Sequence, residues 1–186
     1  QPHLQEGHEL GNHSWDHPDL SVLSRQEIIE QLQSTDDAVF KACGHDPVYI
    51  RPPLGAMSDT YHDSVDRDSI LWTIDTRDWE SHDASKIKKV IDTYVSDGSI
   101  ILLHDIHEDS VKAMKSVIPD LLEKGYQLVT VSDLYKMEDF PETAGAERPL
   151  FFAMSILARS WYNVTAKWVV KRWKLRFAIK AEKSGG

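Results

Sequence analysis

The sequence has 186 residues, of which 41% are hydrophobic and 27% charged, values typical of one globular domain with room for an appendage. The formal net charge of −9 argues against a dedicated nucleic-acid-binding protein, so no nucleic-acid partner is expected. The single cysteine, Cys43, excludes an intramolecular disulfide and a thiolate zinc cluster. Any metal site would therefore need nitrogen and oxygen ligands.

Charge is divided unevenly along the chain. From Glu142 onward there are nine Lys/Arg against three Asp/Glu, a net of +6, whereas the first 141 residues hold twelve against twenty-seven, a net of −15. This contrast predicts two regions, residues 1–140 and a basic, Trp-rich extension over residues 141–186. Neither a signal peptide nor a run of about 18 apolar residues is visible, and the chain starts at Gln1 on a predicted loop.

Helix-capping residues predict two helices. A capping box at Ser24 opens a helix that Gly44 can end, and Asp83 can cap a second one that stops at Gly98. The remaining helical patterns lie at residues 58–65, at residues 110–124 and from Ser132 onward.

Apolar runs between these helices predict strands near Glu9 and at residues 48–50, 70–74, 99–103 and 126–131. The run at residues 99–103 is continuously apolar after its first residue, which is typical of a strand buried on both faces. Alternation of such strands with helices predicts an α/β fold with a mostly parallel sheet.

Polar side chains follow four consecutive predicted strands. Each alone has an ordinary explanation, but the carboxyl ends of parallel strands share one face, where α/β active sites are built. Their equivalent positions therefore predict a site. In chain order the residues are His13 and His17, then Arg51, then Asp78, then His104.

His13 and His17 are candidate metal ligands. Imidazole is the commonest metal ligand in proteins, and two at this spacing can reach one ion if the backbone turns them together. Chance could supply one such pair among nine histidines, so their interpretation depends on the other strand ends.

The motifs at these strand ends resemble those of the NodB-like polysaccharide deacetylases, a carbohydrate esterase family. They are His-Ser-x-x-His, Arg-Pro-Pro-x-Gly, Asp-x-x-Asp-Trp and Leu-His-Asp, and the resemblance covers roughly residues 5–136. Residues 7–15 and 102–107 are most similar to bacterial peptidoglycan N-acetylglucosamine deacetylases. The resemblance implies a partial, distorted (β/α) barrel of parallel strands without its first strands. It also implies a cell-surface or extracellular hydrolase that removes N-acetyl groups from a glycan, peptidoglycan or chitin-type.

The resemblance also implies roles for the polar residues. One divalent metal ion, zinc or another such as cobalt, would be held by His13 and His17. His104 would act as general acid toward the leaving amine. Asp78 would pair with Arg51, and that pair would orient the catalytic carboxylate.

Three further residues would contact the substrate by the same resemblance. Trp79 and Leu102 would wall the pocket for the acetyl methyl group. The residue after Pro-Pro, usually Tyr in the family and here Leu54, would donate its backbone N–H to the oxyanion.

One family motif is absent from this chain. In the family an Asp-Asp pair after the first strand supplies the general base and the third metal ligand, and Asp36 and Asp37 lie in a helical pattern that cannot replace it. We therefore expect a carboxyl-terminal portion of a longer deacetylase that needs an upstream segment of the same protein for activity. The alternatives are a catalytically inactive glycan-binding homologue, or a protein without a site, in which His13 and His17 do not converge.

The basic extension allows several interpretations. Residues 148–183 hold three tryptophans among Lys and Arg, a composition that could form an amphipathic helix on an anionic membrane. The period-two pattern at residues 173–177 also fits a strand, and docking on the domain surface is a third alternative.

Overall fold

The structure, a computed structural model, describes residues 7–138 and the backbone of residues 150–154. Its strands are β1 (Gly11–Asn12), β2 (Tyr49–Ile50), β3 (Ile74–Asp75), β4 (Ser99–Leu102), β5 (Tyr126–Val129) and β6 (Leu150–Met154). Its α-helices are α1 (Arg25–Cys43), α2 (Asp59–His62), α3 (Asp78–Ser81), α4 (Ala84–Tyr94), α5 (Glu108–Glu123) and α6 (Val131–Glu138). Short 3₁₀ turns lie at Leu20–Val22 and Pro53–Gly55.

Every strand pair in the described part of the chain is parallel. β1 pairs with β2, and the other four strands form a sheet in the order β3-β4-β6-β5. Helices separate the strands along the chain, as parallel connections require. The predicted α/β class with parallel strands is therefore confirmed.

Local sequence signals set the bounds of the longest helix, α1. Ser24 and Glu27 form the predicted capping box, in which the Ser24 amide donates to the Glu27 carboxylate at 2.9 Å. At the other end Gly44 adopts a left-handed conformation, and its amide donates to the Phe40 carbonyl at 2.7 Å.

The predicted strand at residues 70–74 is wrong in its extent. The Ile70 amide donates to the Ile50 carbonyl at 2.7 Å, so this segment first runs beside β2. The regular strand β3 begins only at Ile74, where pairing with β4 begins. The carbonyls of Ile70 and Leu71 accept hydrogen bonds from the Arg51 side chain. These two carbonyls are therefore not available for the strand-to-strand hydrogen bonds of a regular sheet.

Two apolar clusters cover opposite faces of β4, which places this strand at the centre of the domain. One lies against α4 and α5 and includes Ile87, Ile101 and Val117, all fully buried. The other joins Ile100 to Leu134 of α6. Because β4 is fixed from both sides, so is the start of the loop that follows it.

Residues 139–149 and 155–186 lie outside the described residues. The predicted membrane contact through residues 148–183 therefore falls almost entirely outside them and stays a prediction. The backbone of β6 lies between β4 and β5, and the division of the chain near residue 141 stays a prediction. None of the described helices combines the length and apolar character that a bilayer crossing requires.

Candidate active site

The loop after β1 brings the two candidate metal-binding histidines together. His13 is buried, and the ring centroids of His13 and His17 are 4.9 Å apart with an interplanar angle of 73°. Ser14 and His17 adopt left-handed backbone conformations, with φ of 64° and 66°, and these reversals turn the loop back on itself. The alternative in which the two imidazoles do not converge is therefore wrong.

Hydrogen bonds to β1 and α1 fix the path of this loop. The Ser14 amide donates to Asn12 Oδ1 at 2.8 Å, and the His17 amide donates to Ser14 Oγ at 3.0 Å. Asn12 is fully buried, and its Nδ2 donates to the Leu32 carbonyl at 2.9 Å and to Asp36 Oδ1 at 2.7 Å. The protein's own bonds thus hold the histidine loop.

His13 is held in the form that binds metals. Its Nδ1 lies 2.6 Å from the Arg51 carbonyl oxygen, which can only accept, so Nδ1 carries the proton and Nε2 keeps its lone pair. Burial lowers the pKa of His13 from 6.5 to about 4, although the bond to the Arg51 carbonyl opposes this change. Positive charge on His17, Arg51 and His104 lowers the pKa of His13 further.

The donor chemistry fits part of a divalent-metal site. His13 and His17 offer two nitrogen ligands, whereas an open catalytic zinc site normally has three protein ligands. Among the described residues no group of three or more His, Cys, Asp or Glu is arranged to hold a metal ion. These two histidines therefore fit two positions of such a site.

Arg51 directly follows β2 and is buried, with 3% of its surface exposed. Its Nε and Nη2 donate to the carbonyls of Ile70 and Leu71 at 3.1 and 3.0 Å, and Nη1 has no partner among the described residues. Burial lowers the pKa of Arg51 to about 10, so the guanidinium stays charged at neutral pH. A buried cationic N–H without an acceptor suits a carboxylate.

The predicted pairing of Asp78 with Arg51 is wrong. Asp78 Oδ1 lies 2.8 Å from His104 Nδ1, and Asp78 Oδ2 accepts from the His104 amide at 2.6 Å and from the Ser110 hydroxyl at 2.6 Å. The Arg51 guanidinium instead donates to the backbone carbonyls of Ile70 and Leu71. Asp78 therefore orients His104, and not the arginine.

Asp78 stays charged although it is fully buried. Burial alone would raise its pKa, but hydrogen bonds from His104 and Ser110 outweigh burial and lower the pKa from 3.8 to about 2. An ionised carboxylate only accepts hydrogen bonds, so the proton between the two residues belongs to His104 Nδ1. His104 Nε2 is thus the nitrogen that can exchange a proton with another molecule.

The residues predicted to contact substrate differ in exposure. Leu102 is buried at the end of β4, whereas Trp79 is 48% and Leu54 69% exposed. Leu54 has φ of 59°, a left-handed conformation that is uncommon for leucine. The Arg77 guanidinium lies 5.9 Å from the centre of the Trp79 ring. The substrate-binding roles of these residues stay predictions.

Two residues that hold the site were not predicted from the sequence. Asn12 directly precedes His13, and a polar residue at the end of an apolar strand was an available signal. Ser110 lies in the first turn of α5, and its bond to Asp78, 32 residues away in sequence, could be seen only in the structure.

Comparisons with known proteins show the family to which the chain is related. The family model for polysaccharide deacetylase matches residues 2–69. Peptidoglycan-N-acetylglucosamine deacetylase PgdA from Listeria monocytogenes is 38% identical over 132 residues, covering 71% of this chain and 28% of PgdA. Peptidoglycan-N-acetylmuramic acid deacetylase PdaC from Bacillus subtilis is 39% identical over 135 residues, covering 73% of this chain and 29% of PdaC. This chain thus spans less than a third of the length of these curated relatives.

Solved structures are similar over the same region. The structure of PdaC from Bacillus subtilis is 39% identical, with a TM-score of 0.71, and the match covers 73% of this chain and 67% of that chain. A CE4 family pseudoenzyme from Bacillus anthracis is 29% identical, with a TM-score of 0.65, covering 72% of this chain and 48% of that one. This chain belongs to the polysaccharide deacetylase family.

Proposed function

We propose that this chain forms part of the catalytic domain of a metal-dependent peptidoglycan deacetylase. It removes N-acetyl groups from N-acetylglucosamine residues at the bacterial cell surface. The observation that carries this proposal is the convergence of His13 and His17 beside Arg51, with the His104–Asp78 pair at the next strand ends. The names of PgdA and PdaC support peptidoglycan as the substrate class.

Amide hydrolysis needs an activated water, stabilisation of the oxyanion and a proton for the leaving amine. A divalent ion such as Zn²⁺ or Co²⁺ would supply Lewis-acid chemistry, by polarising the acetamide carbonyl and activating a water. His13 and His17 would hold that ion, with His13 Nε2 as one donor. The Leu54 backbone N–H donates to the oxyanion, and Trp79 and Leu102 enclose the acetyl methyl group.

His104 supplies the proton. When the C–N bond breaks, Nε2 of the imidazolium gives its proton to the amine nitrogen, and the products are acetate and a free amino sugar. Asp78, which accepts from Nδ1, stabilises the imidazolium before that transfer. The general base would be a carboxylate from outside the described residues that accepts from Arg51 Nη1, and a second carboxylate would be the third metal ligand.

The test is acetate release from N-acetylated peptidoglycan by the full-length protein with Zn²⁺. We expect chelation to abolish release and Zn²⁺ or Co²⁺ to restore it, and His104→Ala to lower kcat by at least about 100-fold. The control is His45→Ala, an exposed histidine after α1, which keeps full activity. Product analysis decides the sugar, because free muramic acid in place of glucosamine would contradict the assignment to N-acetylglucosamine.

A catalytically inactive glycan-binding homologue is the second candidate. It is favoured by the two, rather than three, candidate metal ligands among the described residues and by the pseudoenzyme among the related structures. This candidate predicts retention of the full-length protein on peptidoglycan without acetate release at any Zn²⁺ concentration. Acetate release that depends on His104 would exclude it.

A further inference from the structure

Four hydrogen-bond donors contact the Asp78 carboxylate, and one of them is a side chain to which the proposed chemistry gives no role, the Ser110 hydroxyl. Oδ1 faces His104 Nδ1 at 2.8 Å and the Trp79 amide at 3.0 Å. Oδ2 accepts from the His104 amide and from the Ser110 hydroxyl, both at 2.6 Å. Two of these donors belong to His104, after β4, and one to Trp79 in α3, whereas the Ser110 hydroxyl comes from α5.

Ser110 is not bonded as helix serines and threonines usually are. Thr35 and Ser116 donate to a carbonyl of their own helix, that of Gln31 at 3.1 Å and that of Ala113 at 2.9 Å. Among the described residues Ser132 also departs from this pattern, because its hydroxyl donates to the Glu9 carboxylate. Ser110, with 2% exposure, instead donates to a carboxylate 32 residues away in sequence.

The geometry points to Ser110 as a positioning residue that acts on His104 through Asp78. A carboxylate held at one oxygen by two donors cannot rotate about its Cβ–Cγ bond without breaking both. The Ser110 hydroxyl therefore keeps Oδ1 in line with His104 Nδ1, so Nδ1 keeps its proton throughout. Nε2 is then the nitrogen that takes up a proton to form the imidazolium and passes that proton to the leaving amine, which returns the ring to its Nδ1–H tautomer. This inference rests on the proposed function, in which His104 Nε2 delivers the proton.

Three variants separate this role from a purely structural one. Ser110→Ala removes the hydroxyl, Ser110→Cys keeps its size with a much weaker donor, and Ser110→Thr keeps the donor. Ser116→Ala, on the same helix, is the matched control because its hydroxyl bonds only within α5. We expect Ser110→Ala and Ser110→Cys to lower kcat about tenfold with KM within about twofold, the loss of one hydrogen bond to a charged group. Ser110→Thr and Ser116→Ala should stay within about threefold of the unmodified protein.

The second readout does not need activity. Long-range ¹H–¹⁵N correlation spectra of histidine-labelled protein report which ring nitrogen of His104 carries the proton. We expect the Nδ1–H tautomer in the unmodified protein and in Ser110→Thr and Ser116→Ala. Ser110→Ala and Ser110→Cys should show a mixture of tautomers.

The inference fails if Ser110→Cys folds like Ser116→Ala and keeps both kcat and the single His104 tautomer. If the unmodified protein releases no acetate, the proposed function fails, and the spectra of His104 still decide the role of Ser110. If Ser110→Ala does not fold, Ser110→Cys and Ser110→Thr give the same comparison.

Discussion

At the scale of single residues, the buried charge of Asp78 depends on its hydrogen bonds. Full burial raises the pKa of a carboxyl, and here the bonds from His104 and Ser110 reverse that effect and lower it to about 2. The folded state therefore binds a proton at Asp78 more weakly than the unfolded chain does. Folding stability from this group is complete above the unfolded pKa of 3.8 and is lost as pH falls through the folded pKa.

This difference predicts a specific acid sensitivity. Between about pH 4 and pH 2 Asp78 should account for a loss of about 2 kcal/mol in the free energy of unfolding. Asp78→Asn removes that component, so its free energy of unfolding should approach that of the unmodified protein as pH falls. Urea unfolding followed by circular dichroism across this range measures the gap, and a gap that does not change with pH would contradict the prediction.

Gly55 shows how closely the turn after Arg51 packs. It has φ of 69°, and a Cβ at this position would lie 2.9 Å from Trp72 Cη2. Gly55→Ala should therefore cost about 2 kcal/mol or more, from strained backbone plus the clash. Gly44→Ala is the control, because Gly44 has φ of 76° but open space around the same atom, and should cost about 1 kcal/mol. Equal losses in thermal unfolding would refute the close contact with Trp72.

At the scale of elements, α1 holds the histidine loop in place. Leu32 and Asp36, one helical turn apart, both accept from Asn12, and Gln31 Oε1 accepts from the amides of Trp15 and Asp16. The next link is Arg67, whose guanidinium binds both oxygens of Asp36. Bonds to Asp36 raise the pKa of Arg67. The histidine loop is thus fixed by a helix that carries no predicted site residue.

Two neighbouring aspartates on α1 test this arrangement. Asp36→Asn weakens a partly buried ion pair and an acceptor of Asn12, so it should destabilise the protein by about 2 kcal/mol. Asp37→Asn, one residue further, affects only an exposed bond from Gln33 and should change stability by less than about 0.5 kcal/mol. Guanidinium unfolding measures both, and the same loss in both variants would show that α1 does not hold the loop through Asp36.

The sequence predicted best what is decided locally. Ser24, Glu27 and Gly44 lie within or beside α1 and specify its ends by short-range bonds, and parallel topology placed His13, Arg51, Asp78 and His104 at one face. What it could not predict was which of these side chains pair. The partner of Asp78 depends on the relative positions of three loops and α5, and motif order carries no such distances.

At the scale of the whole molecule, one contact joins the two ends of the described domain. The Ser132 amide, in the first turn of α6, donates to Glu9 Oε2 at 3.2 Å, and the Ser132 hydroxyl donates to Glu9 Oε1. The hydroxyl of Tyr49 in β2 is also hydrogen-bonded to the Ser132 hydroxyl, at 3.1 Å. A carboxylate at a helix amino terminus is favourable because the amides there point toward it.

Removing this charge should loosen both ends together. Glu9→Gln is expected to lower the free energy of unfolding by about 1 kcal/mol and to speed hydrogen exchange at Ser132. Glu123→Gln, at the exposed end of α5, is the control and should leave both unchanged. Unchanged exchange at Ser132 in Glu9→Gln would mean that this contact does not hold α6.

The Glu9–Ser132 contact also sets an order of events during synthesis. The two residues are separated by 123 positions, so Glu9 is synthesised long before its partner exists. At ribosomal rates of about 5–20 residues per second, the interval is roughly 6 to 25 s. During that time β1 and the histidine loop that follows it lack their link to α6. The nascent chain therefore presents its amino-terminal strand and its two histidines to the surroundings before the contact that closes the domain can form.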